Sequence, residues 1–174
     1  VGTPTKKGSL KVDLSFVYKC VKEILKYTKK KKIIITKSTV PVGTGDEIDK
    51  IVKKKKKLFS IISNPEFLRE GEAIRDFRYP DRIVIGSDNK NEFKTMRKLY
   101  SPLISKGAKF FTTSRKGAEL IKYASNAFLA TKITFINELA NLCEKTGINI
   151  EDISLGIGSD SRIGSRFLRP GPAY

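Results

Sequence analysis

Four short apolar runs set the strongest limit on how this chain can fold: Ile33 to Thr36, Leu58 to Ser63, Arg82 to Gly86 and Ala108 to Thr113. None exceeds six residues, a length that suits a buried strand and falls short of a helix. Helical periodicity fills the intervals. Leu14, Val17, Val21, Ile24 and Leu25 mark one face of a helix from Asp13 to about Thr28, with Asp13 as its N-cap. A second helix is expected from about Gly45 to Lys55. A third spans Asn89 to Leu103, with Phe93, Met96, Leu99 and Tyr100 as its inward stripe. Strands and helices alternating in this order predict an α/β fold built on a doubly wound parallel sheet.

From Ser114 the pattern changes. Ser114 caps a helix running from Arg115 to about Thr146, roughly 48 Å long at 1.5 Å per residue. Its apolar positions, among them Leu120, Phe128, Ile133, Ile136, Leu139 and Cys143, cover much of the circumference. Such a helix is expected to be buried on more than one side, between domains or between subunits. Gly147 ends it. Ile150 to Leu155 reads as a short helix and Gly156 to Tyr174 as a Gly/Pro/Arg-rich loop. The expected division is residues 1–113 as a partial α/β domain and 114–174 as a helical region.

A hydrophobic fraction of 39%, with ten Phe and six Tyr, supplies a core and excludes a disordered chain. No apolar run nears the ~20 residues of a membrane span, and no secretory signal opens the sequence. Val1 to Thr5 reads as a strand end, so the chain is expected to begin mid-domain. Cys20 and Cys143 lie in helical patterns and are too few for a disulfide framework or a cysteine-based zinc site. No metal is expected, and the cytoplasm is the default compartment. The sequence has no histidine, which leaves acid–base work to Glu, Asp, Lys, Tyr or water. The formal charge of +17 concentrates in Lys29–Lys32 and Lys53–Lys57. Both runs fall at expected helix ends, where cations suit the helix dipole. They read as solvated ends rather than a nucleic-acid surface, since neither run has interleaved aromatics and no nucleic-acid module is visible; attraction to a phosphate-bearing small molecule is compatible with both readings.

Between the second and third strands stands Asn64-Pro65-Glu66-Phe67-Leu68-Arg69-Glu70-Gly71, closed by Pro80-Asp81-Arg82 and the third strand. Asn-Pro favours a turn. If Glu66 to Glu70 coil as one helical turn, both carboxylates project from one face beside Arg69. Paired carboxylates at a strand exit suit a ligand crevice in an open α/β sheet; the plain alternative is a solvated turn. At the end of the first strand, Lys37 to Thr44 offers the Thr39 hydroxyl ahead of a helix N-terminus, a place for a polar ligand or simply a capped loop. Lys122 and Asn126 are i,i+4 on the long helix beside the small Ala124 and Ala127. They read either as a pair facing a ligand or as a solvent stripe.

Asn64 to Gly71 with Pro80 to Gly86 resembles the NPEFLREG…PDRIVIG signature of the UDP-glucose 6-dehydrogenase family. Four further segments fit the same family in order: Val1 to Thr5, Lys37 to Thr44, Ala118 to Ala130, and Gly158 to Gly164 with Phe167 to Gly171. The resemblance implies the C-terminal half of a doubly wound, Rossmann-like NAD domain, followed by a long central helix and a helical dimerisation region. It implies NAD as cofactor, UDP-glucose as substrate and a homodimer formed through the long helix. Thr5, Thr39 and Glu70 would contact NAD. Glu66 would assist hydrolysis as a general base, with Thr39, Lys122 and Asn126 as further catalytic groups. The substrate would lie against Glu66, Phe67, Leu68, Arg69, Glu70, Lys122 and Asn126, and against Arg162, Phe167, Leu168, Arg169, Pro170 and Gly171, Arg162 reaching it from a neighbouring subunit.

The family's glycine-rich GxGxxG turn and its Gly-Gly-Ser-Cys segment do not occur in these residues, and neither Cys20 nor Cys143 matches the family nucleophile. The expectation is therefore an incomplete portion of a UDP-glucose 6-dehydrogenase, inactive by itself. Alternatives are a dehydrogenase of GDP-mannose or UDP-N-acetylmannosamine, a non-catalytic basic binding module, or a structural partner docking through the long helix.

Overall fold

A computed structural model of the chain describes residues 1–53 and 58–172. The chain divides into two compact units, Val1–Lys122 and Tyr123–Tyr174, and the boundary falls inside the longest helix.

The first unit begins with a loop whose one sheet-like contact pairs Thr5 with Val12. Then follow α1 (Ser15–Tyr27), β1 (Lys32–Thr36), α2 (Thr44–Val52), β2 (Phe59–Ser63), α3 (Ala73–Arg78), β3 (Arg82–Gly86), α4 (Lys90–Leu99), α5 (Ser101–Ile104) and β4 (Lys109–Thr113). Asp13 stands one residue outside the N-cap and accepts a hydrogen bond from the Ser15 amide. Lys29 to Lys32 lie just beyond the end of α1, Lys32 opening β1, and like Lys53 they are exposed. The rest of the second lysine run, with the expected last turn of α2, lies outside the described residues.

The four strands lie in the order β1-β2-β3-β4. β1 and β2 run parallel in full register, Lys32 opposite Phe59 and Thr36 opposite Ser63; β3 and β4 are likewise parallel. The expected parallel order holds within each pair and breaks at their junction, where a single antiparallel bridge joins Ser63 to Gly86. Those are the last residues of β2 and β3, so the carboxyl ends of the two pairs meet. Alternation along β2 feeds two cores, as the period-2 geometry of a strand requires. Phe59 and Ile61 pack with Val17, Val21, Ile34, Ile48 and Val52 from β1 and the helices α1 and α2. Ile62 joins Ile83, Ile85, Met96 and Ala108. A sheet covered on both faces explains why its strands read as unbroken apolar runs.

The third helix stops earlier than expected. Pro102 cannot continue the hydrogen-bond ladder, so α4 ends at Leu99 and a separate turn, α5, starts at Ser101. Leu99 points outward as a result, at 62% exposure, while Met96 is buried.

Helix α6 spans Arg115–Thr146 as the pattern predicts, with Gly117 in its first turn because a Cβ there would stand 2.4 Å from the Thr113 hydroxyl. In the second unit its later turns carry Ile136 and Cys143 inward, and Phe128, Phe135 and Leu142 outward. Helix α7 (Ile150–Gly158) is capped by the Asn149 side chain and runs one turn longer than expected. Both cysteines are free thiols.

Candidate functional site

The carboxyl ends of the strands are drawn together by Asn64. Its amide donates to Thr36 across 2.9 Å, and its buried side chain donates to the Val84 carbonyl at 2.9 Å. The Asn64 Oδ1 accepts from the Tyr100 hydroxyl at 2.6 Å and from Lys37 Nζ at 3.2 Å. Burial pushes the Lys37 ammonium below its ordinary pKa, against the pull of the Glu66 carboxylate, and burial raises Tyr100. One asparagine thus fixes where the Asn64–Gly71 segment leaves the sheet.

That segment is not helical. From Asn64 to Arg69 it runs without regular structure, and Gly71 turns it at φ 81° into α3. Two local contacts outcompete the helix. Glu66 Oε2 accepts the Leu68 amide at 2.6 Å, and Arg69 is held away by a two-pronged pair with Asp76, at 2.6 and 3.0 Å. Glu66 and Glu70 therefore do not share a helix face. Glu70 is exposed in the turn, and Leu68 is also exposed.

Glu66 meets a cation instead. Its Oε1 lies 3.4 Å from Lys122 Nζ, with side-chain exposures of 30% and 8%. Lys122 belongs to no solvent stripe. Its ammonium stands 5.3 Å from the centre of the Phe67 ring, and the Arg82 guanidinium stands 4.0 Å from the same ring, close enough for cation–π attraction. Glu66, Phe67 and Lys122 are brought together.

Two of the three cofactor candidates, Thr5 and Thr39, lie on adjoining loops. Thr3 Oγ1 donates to the Thr39 carbonyl at 3.2 Å and Ser38 Oγ to the Val1 carbonyl at 2.7 Å. Thr39 is half-buried and Thr5 exposed. The α2 N-terminus behind this loop does not offer its amides to a ligand: Gly43 and Gly45 donate to the buried Glu119 carboxylate at 2.7 and 2.8 Å. Asn64 and Arg82 stand in the sequence motif without a site role of their own, and Glu119 gives no sign beyond a lone acid in a small-residue helix turn.

In the second unit, Asn126 is half-buried, one turn beyond Lys122 on α6. Arg162 is exposed and doubly paired with Asp160, which holds the Asp160 carboxyl below its usual range. Phe167 adopts φ 64°, unusual for a side chain of its size. The Leu168 side chain is buried and its carbonyl accepts from Ser154 at 2.8 Å. Arg169 and Pro170 are exposed, and Gly171 is clasped in both directions by the Asn137 amide group.

The Arg69–Asp76 clamp has its own pH signature. The guanidinium holds the Asp76 carboxyl at about 2, against 3.8 for the free group. Folding lowers this pKa, so the clamp's contribution is complete above about pH 4 and is lost as pH falls towards 2. Asp76→Asn should lower the melting temperature at pH 7 and converge with the unmodified chain near pH 2. Equal differences at both pH values would contradict the pairing.

Residues 1–104 match the NAD binding domain of the UDP-glucose/GDP-mannose dehydrogenase family, and residues 116–174 match its central domain. The UDP-glucose 6-dehydrogenase of Rickettsia prowazekii is 53% identical over all 174 residues, and that of Pseudomonas aeruginosa is 44% identical over 181 aligned positions. The chain spans about 40% of the length of each. A UDP-glucose dehydrogenase structure from Pyrobaculum islandicum superposes with a TM-score of 0.90 at 35% identity, covering 98% of this chain and 40% of that one. A GDP-mannose dehydrogenase structure from Pseudomonas aeruginosa gives 0.85 at 29%, with 98% and 41% covered. With two family domains matched in order along nearly its whole length, the chain belongs to the UDP-glucose/GDP-mannose dehydrogenase family.

Proposed function

We propose that this chain is a portion of a UDP-glucose 6-dehydrogenase, which oxidises the primary alcohol of UDP-glucose to a carboxylate in two hydride transfers to NAD. The observation that carries this reading is the Glu66–Lys122 pair at the strand ends, a carboxylate and a cation 3.4 Å apart, on the two motifs that also carry the family resemblance. The strand-end loops fit part of a dinucleotide. Their Thr5 and Thr39 hydroxyls suit a ribose or carboxamide, while no glycine-rich phosphate turn occurs in these residues. NAD, when bound, accepts the hydride. The chain's own residues do the rest. Lys122, desolvated and aimed by Phe67, offers positive charge to the oxygen on which charge develops, and Asn126 adds an amide donor one turn along. In the family the second oxidation leaves a thioester on a cysteine that these 174 residues do not contain. Glu66, half-exposed and already accepting a hydrogen bond, would take a proton from the water that attacks that thioester, the C–S bond breaking to give the carboxylate and the free thiol.

Glu70 would lie towards the cofactor. Phe67, Leu68 and Arg69 would line the sugar nucleotide, as would Arg162 from a second subunit and Phe167, Leu168, Arg169, Pro170 and Gly171. The outward Phe128, Phe135 and Leu142, seven residues apart along α6, support a homodimer formed through that helix. The two free thiols suit a reducing cytoplasm.

The test is a substrate panel with the protein at its full natural length. NADH should form from UDP-glucose at least ~10-fold faster than from GDP-mannose or UDP-N-acetylmannosamine, a margin that a site built around specific hydrogen bonds readily supplies. The likeness to a GDP-mannose enzyme keeps that sugar as the second reading. A preference for it would replace the first.

A further inference from the structure

We propose that Glu119 is a positioning residue for the reaction, a single buried carboxylate that sets the place of Lys122 and Glu66. The proposal rests on the functional reading above only for what the pair does, not for how it is held.

Glu119 is 3% exposed, and both its oxygens are used. Oε2 accepts the Gly43 amide at 2.7 Å. Oε1 accepts the Gly45 amide at 2.8 Å and the Ser63 hydroxyl at 3.0 Å. A buried carboxylate is costly unless hydrogen-bonded, and three donors meet that need. The three segments joined are those that carry the candidate groups. Gly43 closes the loop of Thr39, Ser63 precedes Glu66 by three residues, and Glu119 precedes Lys122 by nearly one helical turn, on the same side of α6.

A purely local role would be met more simply. Helices are ordinarily capped by a side chain of their own N-terminus, yet the N-cap of α2 is Gly43, which brings no side-chain hydrogen bond. The cap comes from 74 residues away along the chain. Gly45 makes room for it, since a Cβ there would stand 3.0 Å from both Glu119 Oε1 and Ser63 Oγ. Loosening Glu119 therefore frees the loop, the strand exit and the Lys122 turn at once.

Glu119→Gln tests this with little change of shape. A carboxamide must turn its NH2 towards one of the donors it replaces an oxygen for, leaving donor against donor. Three readouts are taken on the full-length protein with its glycines and lysines isotopically labelled. Exchange of the Gly43 and Gly45 amides should speed up by about tenfold or more. The Lys122 Hε signal, shifted by the Phe67 ring, should move towards the position of an exposed lysine. The kcat should fall by ~10–100-fold, more than KM rises.

A merely structural role would lower the melting temperature and leave the Lys122 signal in place. That result overturns the proposal. If Glu119→Gln does not fold, Ser63→Ala removes one of the three bonds; it should shift the Lys122 signal in the same direction by less, and an unmoved signal overturns the proposal equally. A wild-type protein that makes no NADH from any nucleotide sugar would sink the functional reading, while the Lys122 signal still judges the role of Glu119.

Discussion

Replacing Lys122 by Met in the full-length protein should leave the fold standing and lower NADH formation from UDP-glucose by about 10²–10³-fold, the range for loss of one preorganised electrostatic group. Met preserves the unbranched stem, so the space beside Phe67 stays filled. The partner left behind is not stranded: Glu66 is 30% exposed on its side chain, and water can replace the lost ammonium. Exchanging a desolvated cation for an apolar side chain is often neutral for stability, and the melting temperature should move by no more than a few degrees. What disappears is the positive charge at the strand ends. Steady-state kinetics and a melting curve on the same preparation check both halves, and activity within about threefold of the unmodified enzyme would remove Lys122 from the mechanism.

Gly86→Ala should be the most damaging single methyl in the first unit. Gly86 ends β3 under the start of α6, and a Cβ there would lie 2.7 Å from Ala118 Cβ, 2.7 Å from the Ser114 carbonyl oxygen and 2.8 Å from Arg115 Cα. Two of these neighbours are backbone and cannot rotate aside. Overpacking of this kind costs ~3 kcal/mol, which at this chain length lowers the melting temperature by roughly 6–12 °C. Gly2→Ala, where nothing lies within 4 Å, is the control and should melt unchanged. Because the Ser63–Gly86 bridge joins the two strand pairs, the damage should also reach the site.

Elements specified by their own residues were legible in the sequence. The four apolar runs are the four strands, and α6 begins and ends where its pattern says. Local competition was harder to read. The period that puts Glu66 and Glu70 on one helical face is cancelled by two contacts, Leu68 to Glu66 and Arg69 to Asp76, and the partner of the second lies seven residues away. The antiparallel junction was likewise hidden, since an apolar run carries no direction. Lys122 was found through its motif and its spacing from Asn126, but its burial depends on Phe67 and Glu66, more than fifty residues upstream. Glu119 is the clearest case. Its partners are two backbone amides and a serine hydroxyl from two other segments, and no periodicity announces them.

The proposed function gives Glu66 the general-base role in hydrolysis of the enzyme-bound thioester, beside Lys122. The most direct measurement is rapid-mixing NADH formation from UDP-glucose, comparing the full-length protein with its Glu66→Gln variant. Two NADH per UDP-glucose are expected from the unmodified enzyme. The variant should give a fast burst of NADH, in proportion to enzyme, followed by a steady rate about 10²–10⁴-fold slower. Glu66→Gln turning over at the unmodified rate, with no burst, would contradict that role.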